Sequence, residues 1–421
     1  MSSPATDARL RRRRRARRLA TTLLVTAIVV AGAGYAVAAA RAPIPAPEVA
    51  PAADIAQPVI ADAAAAQAAV DAQTLPTAIG FAESDAVWAN DDTAYPLGSI
   101  TKLITILVCM DAKPLEPGAE GDTYVWTEED AARTDSYLAV DGVAYSIPVG
   151  TELTQRDMLK FIFLPSANDY AHAYALWTFG TNEAYLEALA AWTAEHGLES
   201  ISLIEPTGME AEDVASAADL VRVARLALAN PTIAEFNGMK YADMPWGVGI
   251  IENSNPLLGV VPGVIGTKTG TLNSFGRNLI VSQQVDALGR PITNISVTLG
   301  RQSNEERAAS GAEMLEAMAP LPQEVPLLAE GTTVGEATLI DGSTVPLITA
   351  GSASAVMLPG EEATFEVVLG VAQTASEAGS EIGTVRVATP TGVQEVPVVT
   401  GGAISEPDFW WRLTHPGIVF G

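Results

Sequence analysis

The sequence predicts an α+β body, preceded by one membrane-length helix and followed by a small all-β domain. Three observations predict it. A charge-free run of 22 residues follows an arginine cluster; helical periods interleave with a few late strands; and the composition changes after Pro320-Leu321-Pro322. With 421 residues, 48% of them hydrophobic, the chain has room for two or three domains with a substantial core.

Arg9, Arg11 to Arg15, Arg17 and Arg18 put eight positive charges into the first 18 residues, against Asp7 alone. Residues 19–40 carry no charge, and at a rise of about 1.5 Å per residue they span a hydrocarbon core of about 30 Å. Arginines before this run and an acidic chain after it place the basic tail, residues 1–18, in the cytoplasm and everything beyond Arg41 outside. The small residues Ala36-Val37-Ala38-Ala39-Ala40 also offer a cleavage point, so two readings stand: a single-pass anchor, or an export signal that is removed. On both, the body is exported. Its charge argues against nucleic acid as a partner. The formal net charge is −26, and beyond Arg41 only 15 basic residues stand against 49 acidic ones, so phosphate is repelled.

Residues 41–60 are rich in Pro and Ala and are expected to be an extended spacer. A short Ala-rich helix is expected over 60–72, and loose alternation over 76–88 suggests a strand. Residues 100–110 are almost continuously apolar between Gly98 and Pro114, which predicts a buried central helix with Ser99 at its first turn. Helical periods recur at 155–163, 168–179, 182–196 and 217–229. Residues 279–281 and 292–299 suggest strands, and 305–318 a helix packed back on them. Together they define a body over 61–322 with an antiparallel sheet against helices. Short β-rich runs between Gly, Pro, Ser and Asp then predict a β domain over 325–405. The tail, 406–421, carries Phe409-Trp410-Trp411-Arg412-Leu413. Two places suit it: a membrane interface, or the surface of the β domain.

The single cysteine, Cys109, excludes an intramolecular disulfide and reads as a small buried hydrophobe behind an apolar run. His172, His196 and His415 lack metal-ligand spacing, so no metal or other cofactor is expected.

Chemistry is concentrated in three short motifs: Ser99-Ile100-Thr101-Lys102, Ser166-Ala167-Asn168 and Lys268-Thr269-Gly270. They are separated by 67 and 102 residues. Their order is that of the S-x-x-K, S-x-N and K-T-G set of penicillin-recognising serine acyl-transferases. Ser99 and Lys102, three apart on a helix, share one face. Burial lowers a lysine pKa from about 10.4, so Lys102 is a candidate base for the Ser99 hydroxyl, while the helix N-terminus favours negative charge there. Ser166 is a candidate proton relay between Lys102 and the leaving amine, and Asn168 a holder of the substrate amide. Ser and Asn are also good helix caps, and both roles are compatible. Lys268 is expected to fix a substrate carboxylate, with Thr269 beside it, just ahead of a strand. Gly270 is expected to let the substrate backbone approach. The Thr271 N–H pairs with the Ser99 N–H as oxyanion donors.

These motifs and their flanks, Gly98 to Thr105, Leu159 to Asp169, Glu252 to Leu258 and Gly263 to Thr271, resemble the low-molecular-mass penicillin-binding proteins, specifically the serine D-alanyl-D-alanine carboxypeptidases. The resemblance covers residues 75–320. It implies a β-lactamase/transpeptidase-like catalytic domain, an acyl-enzyme on Ser99, peptidoglycan stem peptides as substrate and β-lactam antibiotics as inhibitors. It also matches Arg307 with an arginine that binds the substrate's terminal carboxylate. Ala167 stands where glycine is usual, and Pro206-Thr207-Gly208-Met209 where an Asn-x-x-Gly-Leu segment is common.

Three other functions compete. A class A serine β-lactamase needs a Glu-x-x-x-Asn loop between the second and third motifs, and none occurs between Asn168 and Lys268. A non-catalytic wall-binding protein has no need of Ser99, Lys102, Ser166 and Lys268 together. A DD-endopeptidase uses the same residues, and the sequence does not separate it from a carboxypeptidase.

Overall fold

In the computed structural model, which describes residues 4–420, the apolar run behind Ser99 forms the helix Thr101–Ala112. Every residue from Thr101 to Met110 is buried, as expected of a helix that is apolar on all faces. Around it lie the helices Gln155–Phe163, Asn168–Phe179, Asn182–Glu195 and Ala217–Ala229, close to their expected limits. Thr154 and Asp157 form a capping box that starts the first of these, and the Ser216 hydroxyl accepts from the Asp219 N–H at the start of the last.

The chain divides into two units. One comprises Ile60–Val325 and Val356–Glu361; the other takes the chain before Ile60, Pro326–Ala355 and the residues from Glu362 on.

The first unit holds an antiparallel sheet whose order is Val264–Leu272, Gly276–Ala287, Arg290–Arg301, Thr77–Phe81, Val87–Ala89. The helix Asn304–Met318 packs on it as expected. Three expectations are corrected here, and one helix is added. The single strand over 76–88 is a hairpin with Ile79 opposite Trp88, because Glu83-Ser84-Asp85 turns the chain. The Lys268 motif lies inside the edge strand Val264–Leu272 rather than ahead of it. A helix at Glu128–Leu138 was not expected: it buries only Asp130 and Thr134 and so has no apolar stripe, being started by the Thr127–Asp130 capping box. Finally, the unit does not end at 322. Leu358 is fully buried in a cluster with Ile79 and Trp88, and Glu361 pairs through both oxygens with Arg290, at 2.6 and 2.7 Å.

In the second unit, strands run in the order Glu48–Pro51, Thr333–Thr338, Thr344–Thr349, Gly392–Thr400, Glu381–Thr389, Glu362–Leu369. The expected spacer is therefore in part a strand, with Glu48 opposite Thr338. A proline is tolerated there because the strand lies at the edge. The helix Pro4–Arg41 includes a stretch of mean hydropathy 2.2, long and apolar enough to cross a membrane. The aromatic tail forms a helix, Phe409–Thr414, against the end of that long helix rather than on the sheet. The Tyr35 hydroxyl donates to Leu413 O at 2.6 Å, and the Arg412 guanidinium donates to Ala40 O and Ala42 O, both at 3.3 Å.

Candidate active site

Ser99 sits in the single helical turn Gly98–Ile100 that leads into the helix Thr101–Ala112. One turn on, Lys102 Nζ donates to Ser99 Oγ and to Thr207 O, each at 2.7 Å. Lys102 is fully buried. Burial presses its pKa down to about 7, against the pull of Glu205, Asp169 and Asp213. At neutral pH a large share of Lys102 is therefore free amine within reach of a hydroxyl, the condition for activating a nucleophile.

Ser166 lies in the tight connection between the helices Gln155–Phe163 and Asn168–Phe179, in the left-handed region at φ 70°. A non-glycine residue there costs about 1–3 kcal/mol, so the turn is held by its surroundings. Ser166 Oγ accepts from Lys268 Nζ at 2.7 Å. The capping alternative does not hold: the helix Asn168–Phe179 takes Ala167 at its N-cap and has no side-chain cap. The Asn168 amide instead lies 3.4 Å from Met209 Sδ, and its backbone N–H donates to Val143 O. Asp169, next in sequence, is buried and accepts from the Thr134 hydroxyl and the Tyr145 N–H; burial raises its pKa to about 6.

The strand Val264–Leu272 supplies the remaining motif. Lys268 is buried, donates also to Thr269 O at 3.1 Å, and is driven well below the usual lysine pKa by burial, then by Lys102 and Arg307. The hydroxyls of Thr269 and Ser254 are 2.6 Å apart, and Arg307 Nη1 reaches Thr271 Oγ1 at 3.4 Å. Arg307 Nε is buried without a hydrogen-bond partner. Among the described residues neither Lys268 nor Arg307 forms an ion pair with a carboxylate, so two buried basic side chains lie near one another without an acidic partner. Gly270 is also required by the fold itself. A Cβ there would lie 2.2 Å from Leu97 O and 3.2 Å from Ile100 N, so its bareness lets the strand close on the Ser99 turn.

The structure thus brings Ser99, Lys102, Ser166, Asn168, Lys268, Thr269, Gly270, Thr271 and Arg307 into one region. Sequence reasoning missed Glu205 and Asp213. Glu205 accepts from the backbone N–H groups of Thr207, Gly208 and Met209, and so shapes the loop that meets Lys102. Its sequence signal is an acid directly ahead of a Pro-x-Gly turn. Asp213, eight residues further on, carries no comparable signal.

The profile of a peptidase family described as D-alanyl-D-alanine carboxypeptidase matches residues 82–303. The chain is 28% identical over 263 residues to D-alanyl-D-alanine carboxypeptidase DacF of Bacillus subtilis, covering 60% of this chain and 63% of that protein. It is 26% identical over 206 residues to a D-alanyl-D-alanine endopeptidase of Pseudomonas aeruginosa, covering 47% of this chain and 62% of the other. The match thus spans a little under two thirds of these relatives. In structure it is similar to penicillin binding protein 5 from Haemophilus influenzae, with a TM-score of 0.55, 19% identity, and coverage of 79% of this chain and 97% of that one. That likeness speaks for the fold.

Proposed function

Because this chain belongs to the Peptidase S11 family of D-alanyl-D-alanine carboxypeptidases, we propose that it is a serine-type carboxypeptidase. In this reading it removes the terminal D-alanine from peptidoglycan stem peptides through an acyl-enzyme on Ser99, and β-lactam antibiotics inhibit it by acylating the same hydroxyl. The observation that carries the reading is the 2.7 Å contact between Ser99 Oγ and a fully buried Lys102 whose pKa is pressed down to about 7.

The steps follow from the residues. Lys102 takes the Ser99 proton as Oγ attacks the penultimate carbonyl carbon, and the oxyanion is stabilised by the N–H groups of Ser99 and Thr271. Ser166 passes a proton to the leaving amine as the peptide bond breaks, and D-alanine departs. Water then attacks the ester and regenerates Ser99. Lys268 and Arg307 take the terminal carboxylate, whose charge favours the protonated form of Lys268 that burial otherwise opposes. Asn168 orients the peptide, with Thr269 and Gly270 shaping the strand beside it.

The same reading places the enzyme outside the cytoplasmic membrane, held by the helix Pro4–Arg41 as a single-pass anchor. Two observations favour retention over cleavage: the helix runs unbroken through Ala36 to Ala40, where a signal peptidase needs extended chain, and Arg412 holds Ala40 O and Ala42 O. Amino-terminal sequencing of the mature protein checks this. A start at Arg41 or Ala42 overturns the anchor.

Activity is tested by mass spectrometry after incubation with a penicillin, together with D-alanine release from a pentapeptide. Ser99→Ala is expected to abolish both. Release at the wild-type rate from Ser99→Ala overturns the assignment. A cross-linked muropeptide offered in parallel separates the endopeptidase alternative, since a carboxypeptidase leaves the cross-link intact.

A further inference from the structure

We propose that Met209 is a modification site: a hydroperoxide oxidises its thioether to the sulfoxide, and the new oxygen captures the Asn168 amide and so closes the second motif to substrate. The inference rests on the reading of Ser99 as the acylation centre and of Asn168 as the holder of the substrate amide.

Oxidation of sulfur side chains follows access. Of the nine methionines, Met110, Met158, Met244, Met314, Met318 and Met357 are buried, and Met1 lies outside the described residues. Met209 and Met239 remain, both half-buried. The one thiol is a poor competitor. Cys109 is buried and burial pushes its pKa up to about 12, so the thiolate that reacts with peroxide is scarce. Met209 differs from Met239 in what it touches. Its Sδ lies 3.4 Å from Asn168 Nδ2, inside the second motif, whereas Met239 meets the side chain of Asn253 through its backbone carbonyl.

Sulfur and amide are held together from both sides. The Met209 N–H donates to Glu205 Oε1 at 2.8 Å, Thr207 O accepts from Lys102 Nζ, and a Cβ at Gly208 would lie 1.9 Å from Gly98 O, so the loop that carries Met209 is fixed against the Ser99 turn. Opposite it, a Cβ at Gly142 would lie 2.9 Å from Asn168 Nδ2, and the Asn168 backbone N–H donates to Val143 O at 2.7 Å. The Asn168 amide is therefore confined between Gly142 and Met209. A thioether is a weak acceptor, so in the reduced protein this amide stays available to a peptide carbonyl. A hydroperoxide changes that by oxygen transfer. The sulfur lone pair attacks one peroxide oxygen, the O–O bond breaks, an S=O bond forms, and water or an alcohol leaves. Sulfur is oxidised by two electrons and the peroxide is reduced by the same two. The sulfoxide is polar, and its oxygen forms beside a confined N–H donor. A substrate carbonyl must then displace it to reach Asn168. Sulfoxide reductases return the thioether, so the block is reversible.

Hydrogen peroxide is the probe. The full chain is treated and peptide-mapped by mass spectrometry, and its rate of penicillin acylation is divided by that of the same protein untreated. Wild type is expected to gain one oxygen on Met209 and to lose acylation by about 10–100-fold in step with it. Both changes are expected to reverse with the methionine sulfoxide reductases, one for each sulfoxide epimer. Met209→Leu is expected to keep its own untreated rate, and Met239→Leu to lose activity as wild type does. Asn168→Ala separates capture of the amide from general damage: slow before treatment, it is expected to slow no further when Met209 is oxidised. Full acylation with Met209 oxidised, a loss that persists in Met209→Leu, a further loss in Asn168→Ala, or a Met209 left unoxidised each overturns the proposal. Untreated wild type that fails to take penicillin at Ser99 would instead overturn the acylation reading, and the oxygen mapped on Met209 does not depend on it.

Discussion

Lys268 Nζ donates to the Ser166 hydroxyl at 2.7 Å, joining two motifs that are 102 residues apart. With Lys102 bonded to Ser99, each lysine of the site holds one serine, and both lysines are buried with their pKa pressed down by desolvation. One amine is thereby suited to take a proton, and the other to wait for an anion.

Acylation by penicillin should rise with pH with a midpoint near about 7. Below that value Lys102 is an ammonium and accepts no proton; above it the free amine is present. Lys102→Ala should lower the acylation rate by about 10²–10⁴, the usual weight of a positioned proton-transfer group. Stopped-flow rates across the pH range check both. A flat profile in the wild type speaks against Lys102 as the base.

Lys268→Met should raise KM for a pentapeptide more than it lowers kcat, because it removes a carboxylate anchor. It should also stabilise the fold. A lysine whose folded pKa is depressed carries a stability penalty that is full below the folded value, is relieved as pH rises from there towards the unfolded value near 10.5, and is gone above it. The melting temperature should rise by about 2–4 °C for each kcal/mol relieved, with the gain over wild type shrinking at alkaline pH. A lower melting temperature at pH 7 would count against an unpaired buried charge.

Ser166→Gly and Ser166→Ala should both lose D-alanine release, since each lacks the hydroxyl. They should differ in stability. At φ 70° alanine keeps the strain and glycine relieves it, by about 0.5–1 kcal/mol after glycine's entropy cost in the unfolded chain. Paired thermal melts decide it; equal stabilities would show that the turn is unstrained.

Glu361→Ala should destabilise the body by about 1.5–3 kcal/mol, because it leaves the partly buried Arg290 guanidinium without its bidentate partner. Urea unfolding of the full chain measures this. The same reasoning predicts that a chain ending at Pro322, which also lacks Leu358, is less stable than one ending after Glu361.

The sequence by itself singled out the three motifs that the fold brings together. Ser99 and Lys102 are three apart on one helix, so local geometry alone brings them together. The apolar run behind them announced the burial that lowers the lysine pKa, and the charge-free run after the arginines announced the long N-terminal helix. Tertiary structure alone decided what depends on distant partners. Lys268 meets Ser166 rather than open solvent, Gly270 closes on Leu97, Glu361 returns to Arg290, and Arg412 reaches Ala40. Glu205 and Asp213 read as ordinary acids in an acidic chain until folding buried Asp213 and set Glu205 under the loop whose Thr207 O meets Lys102. Periodicity and spacing describe neighbours within a turn or a strand. The dielectric around a charge, and the donor left missing at an oxygen, are set by residues that only the folded chain brings into contact.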